Sequence, residues 1–261
     1  MRYFNTYGPV NEQEHYVVSR KALVTELATQ VTAGKYFTIY APRQMGKTTL
    51  LQRLAAVLQP QANFLPVVLN FEAFEGWPLE DFLQGFGLDL SRALLKLLQI
   101  RQDQRADVVQ QLFAGGPPTS FLALRELLVR LHELLADQKL VLIIDEFDGT
   151  PQTAISQLLQ MWRQIYLTSQ PPRPLHSIVL VGLQNIATLN LGRSSPFNIA
   201  QQVQLAGFSL EEVQDLLGQY TAETGQAFAP GVIAEVYRQT NGHPFLVNRL
   251  AALLTETIAT D

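Results

Sequence analysis

Lys47 and Thr48, preceded by Gly46 in the stretch APRQMGKTT, have the residue types and spacing to hold a polyphosphate. A glycine lets the main chain approach an anion closely enough for backbone N–H groups to point at it. The lysine adds a compact ammonium charge, and the threonine hydroxyl suits a Mg²⁺ ion. The spacing follows G-x-x-x-x-G-K-[ST] except at its first position, where Ala41 stands for glycine. A methyl group is tolerable where a strand ends. The run Pro42, Arg43, Gln44, Met45, Gly46, Lys47, Thr48 and Thr49 is therefore the candidate phosphate cradle. Its amides would wrap β- and γ-phosphates at the positive end of the following helix. Arg43 either touches phosphate or points to solvent.

An acidic pair is the second element. KLVLIIDEFD is an apolar run that ends in Asp145 and Glu146. A carboxylate at the C-terminal end of a strand sits where open α/β sheets take ligands. Asp145 can hold Mg²⁺ through water, and Glu146 can polarise an attacking water as general base. Separately, each motif also reads as an ordinary strand end. In this order they read as the two halves of a Walker-type nucleotide site. The third element is SIVLVGLQN, a strand ending in polar residues that could orient that water or sense the γ-phosphate. Gln184 is the choice there and Asn185 the fallback.

These residues need a scaffold. YFTIYA reads as a buried strand, and a helix follows from Lys47. NFLPVVLNFEAF is a strand, followed by a helix over residues 79–100. RQDQRADVVQQLFAGGPPTS reads as a polar connection broken at Gly115, Gly116, Pro117 and Pro118. FLALRELLVRLHELLAD is an amphipathic helix with Thr119 or Ser120 as cap. TAISQLLQMWRQIYL is a further helix, and FNIAQQVQL a further strand. The first fifteen residues read as a polar loop. After Leu205 the strands stop. SLEEVQDLLGQYTAETG opens with a capping box at Ser209 and Glu212, and two more helices follow.

The expectation is an α/β fold with a three-layer parallel sheet of the P-loop NTPase kind and a small C-terminal helical lid. The core would cover residues 1–206 and the lid 207–261.

Composition narrows the alternatives. The chain has 261 residues, 47% hydrophobic and 16% charged, enough for a sizeable core. A formal net charge of −4 does not favour nucleic acid as a partner. There is no cysteine, hence no disulfide framework. No secretory leader or membrane-spanning run is legible, so a cytoplasmic setting is expected. His15, His132, His176 and His243 lack paired metal spacing, and no G-x-S-x-G occurs. Trp77 and Trp162 are expected to fill the core.

YFTIYAPRQMGKTTLL, LVLIIDEFD, SIVLVGLQN, SSPFNIA and NGHPFLVNRL together resemble the bacterial AAA-like ATP-binding domains, near the archaeal-type ATPases and the STAND signalling ATPases. The resemblance implies ATP or ADP with Mg²⁺ as ligand. It also implies roles the spacing does not show. Val18 and Arg20, in YVVSRKALV, would lie beside the adenine. Pro244 would touch the base and His243 would lie near the phosphates. Arg193 is a candidate arginine supplied to a neighbouring subunit's site, in a homo-oligomer; a plain surface arginine is the alternative. The implied activity is ATP hydrolysis coupled to remodelling or assembly. The other readings are a slow-turnover switch working with sensor or effector proteins in trans, and a DNA-associated loader.

Overall fold

The computed structural model describes residues 1–168, 173–183 and 198–256. Five strands, β1 (Tyr36–Tyr40), β2 (Phe64–Asn70), β3 (Lys139–Asp145), β4 (Ser177–Gly182) and β5 (Gln201–Gln204), form one sheet. Their order is β2-β3-β4-β1-β5, and every neighbouring pair is parallel. Helix α1 (Lys21–Thr32) precedes β1, and α2 (Lys47–Leu58), α3 (Leu79–Ile100), α4 (Ala106–Ala114), α5 (Phe121–Leu135) and α6 (Gln152–Thr168) lie between β1 and β4 in the chain. After the last strand come α7 (Leu210–Thr224), α8 (Val232–Thr240) and α9 (Pro244–Glu256).

The chain divides into two compact units. One comprises residues 24–40 and 51–204 and contains the sheet. The central strands β3 and β4 are buried almost without a break because both faces are covered, whereas the edge strand β5, QQVQ, is largely exposed. Leu140, Leu142 and Ile144 share a core with Phe86, Leu90, Leu128 and Trp162. The intervening Val141 and Ile143 are equally buried, as are Val179 and Val181 of β4. Helix α5 contributes Leu124, Leu128, Leu131 and Leu135, one stripe at helical spacing. The Ser120 hydroxyl caps it by accepting the Ala123 N–H at 3.1 Å.

Two expectations fail in this unit. The segment read as a polar connection contains α4, a nine-residue helix that buries only Val109. So short a helix leaves little periodic signal. Its entry is set by tertiary contacts: Arg105 bonds Asp103 at 2.8 Å and donates to the Leu135 carbonyl at 2.8 Å. Trp162 is buried as expected, but Trp77 is 40% exposed. It follows the turn at Gly76 and packs edge-on against Phe74, ring centroids 5.1 Å apart, and against α3 at Gly85, leaving part of the ring in solvent.

The other unit comprises residues 1–23, 41–50 and 205–261. Its core joins Phe4 and Tyr16 to Val213, Leu216, Leu217 and Val247 of the C-terminal helices. The first fifteen residues are therefore more than a polar loop. They form no helix, but Phe4 within them and Tyr16 directly after them are each only 2% exposed. The Gln219 amide fastens this segment, accepting the Val17 N–H at 3.1 Å and donating to the Val17 carbonyl at 2.8 Å. Helix α7 opens with the expected capping box of Ser209 and Glu212.

Candidate functional site

The phosphate-loop candidate is the turn between β1 and α2. Ala41 is fully buried at the strand exit, so a methyl group fits where the pattern asks for glycine. Gln44 (φ 62°) and Gly46 (φ 83°) are both left-handed, with Met45 between them 8% exposed and anchoring the loop from within. Such alternation turns successive N–H groups toward one concave side. Nothing lies within 4 Å of where a Gly46 Cβ would stand, so the need for glycine there is conformational. Lys47 is 5% exposed, and its Nζ donates to the Ala41 and Pro42 carbonyls at 3.1 Å each. Both acceptors are neutral main-chain groups. Thr48 is exposed and Thr49 half-buried, on the first turn of α2; Pro42 and Arg43 are exposed.

The acidic tip is built at the end of β3. Asp145 is 3% exposed; its Oδ1 accepts the Glu146 N–H at 3.0 Å, and its carbonyl accepts the Phe71 N–H at 3.0 Å. Glu146 is left-handed (φ 48°, ψ 48°) and half-buried. For a residue with a Cβ that conformation costs about 1–2 kcal/mol, the kind of strain that collects at functional positions. It swings the chain from the sheet into a single 3₁₀ turn, Phe147–Gly149. Gly149 lies so close to the Phe71 carbonyl that a Cβ would overlap it. Asp148 accepts the Leu183 N–H through Oδ2, and a Cβ at Gly182 would collide with that same carboxylate.

Sheet order sets the direction of the strand ends. All strands are parallel, so the C-terminal ends of β1, β3 and β4 face the same way. Tyr40 of β1 is in register with Gly182 of β4, and Ile144 of β3 with Leu180. From β1 the chain jumps to the edge strand β2, returns through β3 and β4, and ends beyond β1 at β5. The order thus reverses between β1 and β4, where open α/β sheets hold ligands.

The remaining candidates fall in two groups. Gln184, Asn185 and Arg193 lie outside the described residues. Val18, Arg20, His243 and Pro244 all belong to the unit with the C-terminal helices. Val18 packs against the Phe4–Tyr16 core. Arg20 is left-handed (φ 46°), donates to the Ala206 carbonyl at 2.9 Å and pairs with Glu212 at 3.4 Å. Its guanidinium also covers the Phe208 ring at 4.9 Å. Phe208 in turn donates its N–H to the Gly242 carbonyl at 2.7 Å, beside His243. Nδ1 of His243 is buried and has no hydrogen-bond partner among the described residues, and Pro244 is buried at the first position of α9. Phe208 therefore links Arg20 to the His243 turn. No sequence signal marks it; the same holds for Asp148, whose partner is 35 positions away.

The family model of the AAA-like domain matches residues 6–260. The chain belongs to the AAA-like domain family. A curated relative of this AAA-like domain, an uncharacterized WD repeat-containing protein of Synechocystis sp., is 25% identical over 261 residues. That match takes in 94% of this chain and 20% of the relative, so the domain spans about a fifth of the relative's length. Among solved structures, a Walker-type ATPase of Pyrococcus abyssi superposes with a TM-score of 0.62 at 15% identity, covering 96% of this chain and 71% of the other. The Orc1 protein of Aeropyrum pernix, in complex with DNA, gives 0.55 at 12% identity over 93% and 61%. Domain III of the replication initiation protein DnaA of Thermotoga maritima gives 0.50 at 15% identity over 97% and 93%. At such identities the likeness is one of fold, and the fold of this AAA-like domain is that of the P-loop ATPases.

Proposed function

We propose that this AAA-like domain binds ATP with Mg²⁺ and hydrolyses it, coupling nucleotide state to conformational change or assembly. The observation that carries the reading is Lys47: a nearly buried ammonium that, among the described residues, bonds two neutral main-chain carbonyls, directly after a left-handed glycine. The donor set also fits the ligand. A hydroxyl at Thr48 and carboxylates at Asp145 and Glu146 are hard oxygen groups of the kind Mg²⁺ selects. Magnesium, when bound, would offset phosphate charge.

In this reading Lys47 and the amides of residues 42–49 grip the phosphates. Thr48 and Asp145 hold the metal. Glu146 takes a proton from the attacking water, and Gln184 orients that water. Val18, Arg20, His243 and Pro244, all in the unit that holds the C-terminal helices, would attend the base and phosphates. Nδ1 of His243, unpartnered among the described residues, supports a polar role there. Arg193 would complete a neighbouring copy's site in a homo-oligomer. The cysteine-free composition suits a cytoplasmic setting.

A second reading is a slow-turnover switch inside a larger protein. It is favoured by the Synechocystis relative, which contains WD repeats and is mostly not this domain. The sensor or effector would then be another part of the protein or a partner in trans. A DNA-associated loader draws support from the fold shared with Orc1 and with the replication initiation protein DnaA, and the net charge of −4 weighs against it.

The test is calorimetric titration with ATP and ADP, with and without Mg²⁺, followed by steady-state turnover against chain concentration. Mg²⁺-dependent ATP binding with turnover per chain that climbs with concentration supports the hydrolase with shared sites. Retained ADP with negligible turnover selects the switch. A chain that binds neither nucleotide overturns both.

A further inference from the structure

We propose that the groove between the 3₁₀ turn Glu72–Phe74 and α3 is a docking surface for a cationic polypeptide segment carrying a large apolar side chain. The groove measures about 600 Å³, with Phe74, Trp77 and Pro78 on one side and Gln84 and Leu88 on the other. Trp77 is 40% exposed and Leu88 43%, two large apolar residues offered to solvent in one place. The helix is adapted to them. A Cβ at Gly85 would stand 2.8 Å from the Phe74 ring and 3.2 Å from the Trp77 ring. A glycine inside a helix costs roughly 0.5–1 kcal/mol relative to alanine, and here it lets both rings lie against the backbone.

Charge decides the occupant. Residues 71–92 hold Glu72, Glu75, Glu80, Asp81 and Asp89 against Arg92 alone. This stretch therefore carries the chain's whole formal charge of −4, since the remaining eighteen acidic and eighteen basic residues cancel. Glu72, Glu75, Glu80 and Asp81 are exposed, and Asp89 is half-buried. Glu80 and Asp81 also complement the dipole of α3, but Glu72, Glu75 and Asp89 lie outside its first turn. Arg92 is 3.4 Å from Asp89 in an exposed pair, so it offsets one charge weakly. Nucleic acid and anionic lipid are repelled by such a surface. A basic peptide is attracted, and an arginine can stack on the Trp77 face while its charge meets Asp81 and Asp89. Exposed tryptophans with this surround are typical anchors of protein interfaces. The proposal does not depend on the nucleotide reading.

The test uses the full 261-residue chain at physiological ionic strength. Trp162 is fully buried, so the solvent-sensitive tryptophan emission belongs to Trp77. The probe is a short amphipathic peptide of leucine and arginine without aromatic residues; its control has every arginine replaced by glutamine. Saturable change in Trp77 emission by the arginine peptide, with the control weaker by about tenfold, is expected. Calorimetry should show Trp77→Ala, and separately Asp81→Asn with Asp89→Asn, weakening the peptide by roughly tenfold at unchanged thermal midpoints. Lys47→Ala should leave it unchanged, which separates this surface from the nucleotide loop. No binding, equal binding to the variants, or Trp77 already shielded by self-association of the chain would each overturn the proposal.

Discussion

The Asp148 carboxylate accepts the main-chain N–H of Leu183 and so ties the turn after β3 to the end of β4. The fit is close: Gly182 has no Cβ because that carboxylate fills the space. The last acid of the DEFD string is thus a structural acceptor, and among the described residues no group of three or more metal-ligating side chains forms. Asp148→Ala should speed amide exchange at Leu183 by about tenfold, the worth of one hydrogen bond. Asp148→Asn, whose Oδ1 still accepts, should restore most of the protection. Turnover should fall through kcat more than KM rises, because Gln184 begins where the tie ends. Unchanged exchange at Leu183 in the alanine variant would show that the bond does not hold in solution.

Lys47→Ala removes a point charge and the two 3.1 Å bonds to the loop carbonyls. A charge-assisted contact is worth about 1.5–3 kcal/mol, so ATP affinity should drop by roughly 10- to 100-fold. Lys47→Met, which keeps the buried stem, should lose affinity equally while melting closer to wild type. Calorimetry with thermal melts reads both. Normal ATP affinity in either variant would remove the loop from the nucleotide site.

How much of this was legible follows from how local each feature is. The turn after β1 is shaped by near neighbours: left-handed Gln44 and Gly46 and the fold-back of Lys47 all lie within seven residues, so a strand–turn–helix was legible there. Strand β3 was legible because burial on both faces leaves an unbroken apolar run. The Arg20–Glu212 pair spans 192 positions and had no signal. Phe4 and Tyr16 sit in a polar stretch without periodicity, and only their packing against α7–α9 shows that they are core. Trp77 misled by type, since a large aromatic was expected to be buried and instead faces solvent.

Glu146 combines a left-handed backbone with the proposed role of base. Glu146→Gln keeps size and hydrogen bonding but cannot take a proton. It should bind ATP as wild type does and lose turnover by at least ~100-fold. Glu146→Gly adopts φ 48° without strain, so it should melt no lower than Glu146→Gln while being equally inactive. Full turnover in the glutamine variant would eliminate Glu146 as base and direct attention to residues 184 and 185.

His176 sets a pH dependence of stability. It is 8% exposed, packed on Phe64 with ring centroids 5.4 Å apart, and pressed against Gly34. Its Nε2 lies 3.2 Å from the Thr32 carbonyl, which can only accept, so that nitrogen carries the proton of the neutral ring. Burial pushes its pKa below the ordinary histidine value; Lys139 and Arg173 act in the same direction, and the Thr32 and Val31 carbonyls oppose them. The folded chain therefore holds this proton less tightly than the unfolded chain. Above the unfolded value of about 6.5 neither state is protonated and stability is complete. As pH falls through that value the unfolded state gains the proton first, and folding weakens. Thermal midpoints should decline between about pH 7.5 and 5.5, above the range where carboxylates titrate. His176→Gln, whose amide can still donate to Thr32, should flatten the decline within that window. An identical slope in wild type and variant would place the titrating group elsewhere.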